Sequence, residues 1–181
     1  MNTADPSSAD VDDYRSLMSA FPTGVAVVTS LDTDAQPRGA TCSSLCSVTL
    51  TPPTLLLCLN TTSSTLSAIR GSGGFAVNLL NSCARDTAVM FSTPVDDRFA
   101  AVAWRRFGSS GQPWLVRDAF AVAECRATEL STVGSHTVVL GRVVSSFSLP
   151  GVPLLYGLRQ FSRWAPQLQE THPCAPRARD E

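Results

Sequence analysis

With 181 residues, 44% hydrophobic and 16% charged, the chain has the composition of one globular domain able to bury a core rather than of a disordered protein. A net charge of −1 offers no basic face, which argues against a nucleic-acid partner. No apolar run approaches the roughly 20 residues that a membrane-spanning helix needs.

The start of the chain is acidic (Asp5, Asp10, Asp12, Asp13) and lacks the basic residues and apolar stretch of a signal peptide, so a soluble cytoplasmic protein is expected. Residues 1–11 read as a flexible tail, 12–164 as one domain, and the Pro- and charge-rich segment 165–181 as a disordered tail. Within the domain, Tyr14, Leu17 and Met18 stand at helical spacing and predict an amphipathic helix over Val11–Ala20 that ends at Phe21-Pro22. Gly24–Ser30 reads as a strand, Leu31–Pro37 as a hairpin loop, and Arg38–Thr49 as a returning strand of small side chains. Pro52-Pro53 marks a turn before Thr54–Leu59, a continuous apolar strand expected at the centre of a sheet. A helix over Ser63–Arg70, with Leu66 and Ile69 one turn apart, is expected to start at Ser63 or Ser64 and stop at Gly71.

Phe75–Leu80 is a further strand, Ala84–Phe91 a short helix, and Val95–Val102 a helical turn. Trp104–Pro113 reads as irregular. Ala119–Leu130 and His136–Phe147 are long strands joined by a turn at Gly134, and Pro153–Leu158 is one more strand. Six or seven strands with few short helices, joined by hairpins or single-helix links, favour an antiparallel barrel or sandwich over a doubly wound sheet.

Several chemistries are excluded by what the residues lack. All 14 basic residues are Arg, so no lysine can form a Schiff base with pyridoxal phosphate. The six cysteines (42, 46, 58, 83, 125 and 174) make no C-x-x-C pair, and His136 and His172 are the only histidines, so no metal site is expected. Cys58, Cys83 and Cys125 read as core residues. The Gly71, Gly73, Gly74 cluster follows a helix and precedes a strand, the reverse of a dinucleotide fingerprint. Ser44 and Ser47 have no nucleophile-elbow frame, and no paired carboxylates suggest a glycosidase.

The segment Gly39–Ile69 is the most informative. Thr41, Cys42, Ser43, Ser44, Cys46, Ser47 and Val48 are a run of mostly small residues that would let a flat ring lie close to backbone amides. One strand later, Asn60, Ser63, Ser64 and Thr65 form a hydroxyl-rich helix start of the kind that holds phosphate. Each half has an ordinary explanation, a half-solvated strand and a helix cap. Together, at this spacing, they suggest a site for a flavin nucleotide.

Six segments then carry a resemblance: FPTGVAVVTS (Phe21–Ser30), RGATCSSLCSVTLTPPTLLLCLN (Arg38–Asn60), FAVNLL (Phe75–Leu80), DRFA (Asp97–Ala100), GSHTVVLGRV (Gly134–Val143) and PLLYGLRQF (Pro153–Phe161). In this order and spacing the chain resembles the short-chain flavin reductases, the reductase components of two-component flavin monooxygenases, including those of enediyne antibiotic pathways. The resemblance implies a mainly β, antiparallel Greek-key split barrel that binds flavin (the FMN-binding split barrel) with a few short helices. It implies hydride transfer from NADH, or NADPH, to FAD, or FMN, and release of reduced flavin to a partner monooxygenase, from a homodimer whose interface completes the pocket.

Residue by residue, the resemblance makes Thr41–Val48 the ring platform and Asn60, Ser63, Ser64 and Thr65 the ribityl and phosphate clamp. Arg98 becomes a phosphate partner, or else a surface charge paired with Asp96 or Asp97; Phe99 becomes a flavin contact or a core ring. His136 would position the nicotinamide, and Tyr156 and Arg159 would touch NADH or the partner subunit, or simply pack. Cys42 and Cys46 stand where other small residues occur and read as packing residues beside the flavin. Two alternatives stay open: a pyridoxamine-phosphate-oxidase-like enzyme on the same fold, and a non-catalytic flavin-binding barrel.

Overall fold

A computed structural model describes residues 10–93 and 97–165. Residues 1–9 of the expected tail 1–11, residues 166–181 of the expected tail 165–181, and Asp96 as a partner for Arg98 lie outside the described residues. Helix α1 (Val11–Ser19) is opened by Asp10, whose carboxylate accepts the N–H groups of Asp12 at 2.8 Å and Asp13 at 3.3 Å. Its predicted apolar stripe stays largely exposed: Tyr14, Leu17 and Met18 are all exposed, and no residue of the helix is buried among the described residues.

Strands β1 (Thr23–Gly24) and β2 (Ala26–Leu31) split the expected Gly24–Ser30 strand, because Val25 serves two sheets: its N–H donates to Leu154 O and its carbonyl accepts from Leu80 N. The strand expected over Arg38–Thr49 is likewise two, β3 (Pro37–Cys42) and β4 (Cys46–Leu50). Strand β5 (Pro53–Asn60) follows, then helix α2 (Ser64–Ser72), whose stop is Gly73 in the left-handed region rather than Gly71. Strand β6 (Gly74–Leu80) and helix α3 (Arg85–Ser92) agree with the sequence, and the expected turn near Val95–Val102 is a single 3-10 turn at Arg98–Ala101.

The segment read as irregular, Trp104–Pro113, is in fact a hairpin of β7 (Trp104–Phe107) and β8 (Gln112–Leu115). Strands β9 (Ala119–Val133) and β10 (His136–Ser148) form the long hairpin. Strand β11 (Leu154–Gly157) is followed by β12 (Gln160–Arg163), which the sequence reading missed because Phe161 is its one partly buried residue. All pairings are antiparallel.

Seven strands form one sheet in the order β3-β2-β6-β9-β10-β5-β4. Laid flat, its edge strands β3 and β4 would stand about 29 Å apart, at ~4.8 Å per neighbour. Yet only Ser43, Ser44 and Leu45 separate Cys42 from Cys46, and a fully extended chain covers about 14 Å over those four steps. The sheet must therefore curl until its edges meet, and the result is an antiparallel Greek-key split barrel. Strand β5, expected at the centre, is next to the edge in the hydrogen-bonding order and buries only Leu57 and Leu59.

Two cores follow from strand alternation. Ala26 and Val28 of β2 point into the barrel with Leu57, Phe75, Val77 and Val139, and α2 plugs that core with Leu66 and Ile69. Val25 and Val27 point outward into a second core with Leu80, Ala88, Phe91, Leu115 and Leu154. Strand β2 is therefore buried along its whole length. Of the cysteines expected in the core, Cys125 is buried, Cys58 is partly buried and Cys83 is exposed.

Glu124 is a buried acid, 1% exposed, that holds the β7–β8 turn. It accepts the N–H groups of Ser109 at 3.0 Å and Ser110 at 2.6 Å, and a short bond from the Ser110 hydroxyl. Gly108, at φ +71°, is obligatory here: a Cβ would lie 2.0 Å from Glu124 Oε2. Burial pushes the Glu124 carboxyl up, but the bonds from Ser110 and Ser109 outweigh it and leave its pKa below the ordinary 4.5. A depressed carboxylate stabilises the fold above its unfolded pKa and loses that contribution as pH falls through the folded value. Thermal melts of Glu124→Gln should thus show a weaker acid-side loss of stability than the parent below about pH 4.5; parallel acid limbs would overturn this account.

Candidate active site

A cleft of about 690 Å³ opens between three walls. One is the β2–β3 hairpin and the start of β3, from Gln36 to Ala40. The second is the approach to α2: Asn60, Thr62, Ser63 and Ser64. The third is the end of α3, Phe91–Thr93, with the turn Asp97–Phe99.

The floor is set by Gly39. A Cβ there would stand 2.7 Å from Phe91 Cε1 and 3.2 Å from Phe99 Cζ. These rings meet edge to face at 5.2 Å, and Phe99 meets Trp104 in the same way at 5.7 Å. Arg98 ties two walls together: its Nη1 donates to Gly39 O at 2.8 Å and, more weakly, to Phe91 O at 3.5 Å. The Thr41 hydroxyl adds a bond to Ala88 O at 2.6 Å, fastening α3 to β3.

The second wall is a helix start with donors to spare. Asn60 shapes it: its Oδ1 accepts Thr62 N at 2.9 Å and the Thr62 hydroxyl at 2.7 Å, while its carbonyl accepts Ser63 N at 3.0 Å. Ser63 is the N-cap but makes no side-chain capping bond. The first-turn N–H groups of α2 have no intrahelical acceptor, and the positive end of the helix dipole points the same way. Thr65 Oγ1, in that turn, is buried without a hydrogen-bond partner. No acid occupies the turn. An orphaned hydroxyl, unspent amides and free serine hydroxyls fit a phosphate ester.

Of the residues singled out from sequence, Asn60, Ser63, Ser64, Arg98 and Phe99 line this cleft, and Thr65 lies in the buried turn behind it. Thr41, Cys42, Ser43, Ser44, Cys46, Ser47 and Val48 are not among its lining residues. They form the crossing from β3 to β4 and the exposed strand β4. Ser44 fixes that crossing to β5, donating to Cys58 O at 3.1 Å and accepting Cys58 N at 2.9 Å. Burial pushes the Cys42 thiol up, against a smaller opposing effect of its Ser44 contact, and burial with the Glu124 charge pushes Cys125 up to about 12. Both thiols are protonated at neutral pH, and all five described cysteines are free.

His136 opens β10 directly opposite Asn60 of β5, so it borders the second wall without lining the cleft. Its Nδ1 lies 3.0 Å from Ser135 Oγ, and Ser135 O accepts Thr61 N at 2.9 Å, binding the hairpin tip to the cleft loop. Tyr156 and Arg159 sit apart, on the small sheet β1-β11-β12. Tyr156 stacks edgewise on Phe161 at 5.0 Å, and Arg159 stands in the tight β11–β12 turn at φ +60°.

The sequence reading missed Gln36–Arg38, Thr62, Phe91–Thr93 and Asp97 as lining residues. Gly39 was the available signal: a glycine at mid-strand marks a close approach. Its partners, Phe91 and Phe99, stand 52 and 60 positions later; Phe99 lies in the DRFA motif, whereas Phe91 carries no local mark.

A closed antiparallel barrel with a phosphate-ready helix start beside an aromatic-floored cleft defines a nucleotide-binding barrel. Residues 18–165 match the family described as flavin reductase like domain, and the chain belongs to that family. It is similar to a flavin reductase (NADPH) of Lentzea aerocolonigenes, 52% identical over 155 residues that cover 86% of this chain and 91% of the relative. It is also similar to HsaB of Mycobacterium tuberculosis, the reductase subunit of a flavin-dependent monooxygenase, 34% identical over 154 residues, 82% of this chain and 81% of the relative. The solved structure of the NADH:FAD oxidoreductase SgcE6 from Streptomyces globisporus C-1027, in complex with NAD and FAD fragments, superposes with a TM-score of 0.82 at 32% identity. It covers 93% of this chain and all of SgcE6. The protein is a flavin reductase, an enzyme that passes hydride from a reduced nicotinamide nucleotide to flavin.

Proposed function

We propose that the physiological pair is NADH and FAD, and that the reduced flavin is released to a partner monooxygenase, in the manner of antibiotic-pathway relatives, within the cytoplasm. The observation that carries this reading is the cleft itself: hydroxyls, spare amides and the orphaned Thr65 Oγ1 stand at one end, with arginines along the walls. These groups hold a phosphate by hydrogen bonds and dipole, without a covalent tether, which suits a flavin that must leave after each turnover. When bound, flavin supplies the two-electron acceptor for hydride. Ser63, Ser64 and the α2 amides bind its phosphate, and the backbone of Thr41–Val48 supports the ring edge, where N–H groups stabilise developing negative charge. His136 orients the nicotinamide and moves no proton, since hydride transfer needs no general base.

The ring half of this site is completed by a second copy of the chain. Support comes from exposed apolar residues on both sides of the Thr41–Val48 crossing: Val48 and Leu50 on β4, and a groove of about 250 Å³ lined by Leu45, Leu55, Leu79 and Phe147. Tyr156 and Arg159 then face the nicotinamide or the partner subunit. Light scattering should give the mass of a dimer, and a monomer at micromolar concentration would overturn the shared site.

The direct test is steady-state kinetics at the nicotinamide absorbance band with each pairing of NADH or NADPH and FAD or FMN. NADH with FAD is expected to give the highest kcat/KM; a preference for FMN or NADPH would reassign the pair. His136→Ala should raise the KM for NADH about tenfold and leave the KM for flavin within twofold. An unchanged NADH KM and turnover would remove His136 from the site.

A further inference from the structure

Resting on that reading of the cleft, we propose that Arg38 reads a phosphate on the adenosine moiety of a dinucleotide at the hairpin end of the cleft. Arg38 and Gln36 line the cleft on the β2–β3 hairpin, on a different wall from the α2 start that suits the first phosphate. Its guanidinium is preset. Arg38 Nε and Nη2 both donate to Asp32 Oδ2, at 2.9 and 2.8 Å. The other oxygen, Oδ1, accepts Asp34 N at 3.0 Å and Gln36 N at 2.8 Å, so the hairpin turn itself orients the carboxylate.

The Gln36 amide above all, aided by Arg38 and Asp34 and opposed by burial, holds the Asp32 carboxyl below its usual pKa, so the partner is anionic at working pH. The guanidinium thereby keeps Nη1, which has no partner among the described residues, on a side chain that is 46% exposed. An arginine braced on one edge and open on the other loses little side-chain freedom when it takes up a phosphate. Arg98 differs, because its Nη1 is committed to the backbone of Gly39.

Two nucleotides bring such a phosphate as the group that their nearest analogue lacks: FAD, through the adenylate phosphate absent from FMN, and NADPH, through the 2′-phosphate absent from NADH. The two are separated by measuring binding and turnover for Arg38→Ala, Arg38→Lys and Asp32→Asn against FAD, FMN, NADPH and NADH. Flavin fluorescence titrations and tryptophan quenching by the nicotinamides report binding without turnover.

In Arg38→Ala the preference for FAD over FMN should fall on the order of tenfold, the loss of one charge-assisted contact. A fall confined to NADPH over NADH assigns the site to the 2′-phosphate instead. Arg38→Lys should recover part of the preference, and Asp32→Asn should lose part of it with Arg38 still present. Both preferences staying within twofold of the parent, or all four ligands weakening equally, would overturn the assignment. Intact binding with no reduction of either flavin would instead sink the NADH–FAD reading and leave the Arg38 result standing.

Discussion

Gly39→Val is expected to raise the flavin KM at least ~10-fold and to lower the melting temperature by about 4–8 °C. The Cβ alone would lie 2.7 and 2.9 Å from Phe91 Cε1 and Cδ1, and valine adds two methyls. Phe91 is 1% exposed and cannot swing away without moving α3. Phe99 is held between Phe91 and Trp104, so its ring transmits the displacement to the Arg98 turn. The third wall of the cleft moves as a unit, and the Arg98 bond to Gly39 O is lost with it. Gly39→Ala should show the same pattern at smaller size. Wild-type flavin affinity in Gly39→Val would show that the 690 Å³ cleft is not where flavin sits.

Asn78→Leu is expected to cost about 3–5 kcal/mol, lowering the urea midpoint by ~2 M with little change in slope. Asn78 is fully buried, and every polar group on its side chain is used. Its Nδ2 donates to Val27 O at 3.2 Å, Thr29 Oγ1 at 3.1 Å and Pro113 O at 3.3 Å; its Oδ1 accepts Leu115 N at 2.9 Å. Leucine fills the space but leaves the Leu115 N–H buried and unpaired. This bond also reaches the site. Leu115 pairs across the hairpin with Trp104, whose ring backs Phe99 in the cleft wall. Asn78→Leu should therefore raise the flavin KM modestly even at temperatures where the protein remains folded. A midpoint shift under ~0.5 M would mean that water satisfies the orphaned groups.

The two sites differ in how visible they were beforehand. Gly39 sat in the stretch of sequence that suggested a nucleotide ligand, and Asn60, Ser63 and Ser64 stand together at the α2 start that the sequence predicts, because a helix start is a local event: cap, turn and dipole lie within six residues. Asn78 lay unnoticed inside an apolar strand, because its partners come from β2 and β8. Trp104–Pro113 read as irregular since Gly108 and Gly111 suggest loops; what makes it a hairpin is Glu124, fourteen positions on from Ser110. Thr41–Val48 read as one platform strand, whereas the chain crosses there from one sheet edge to the other.

By itself the sequence determined the alternation of strands and helices, the starts of α2 and α3, the absence of lysine chemistry, and, through six ordered motifs, the flavin reductase family. These are properties of neighbouring residues, of composition or of motif order. Only the tertiary structure decided which wall each motif would occupy. Closing the barrel brings β3 beside the α2 start and lays Phe91, Arg98 and Phe99 across Gly39. It leaves His136 on the rim opposite Asn60 and turns Arg38 toward the cleft. Those neighbours are set by the pairing of Asn60 with His136, 76 positions apart, and by the approach of Gly39 to Phe91 and Phe99, 52 and 60 positions apart, where chain-entropy cost and packing, not local preference, select the partner.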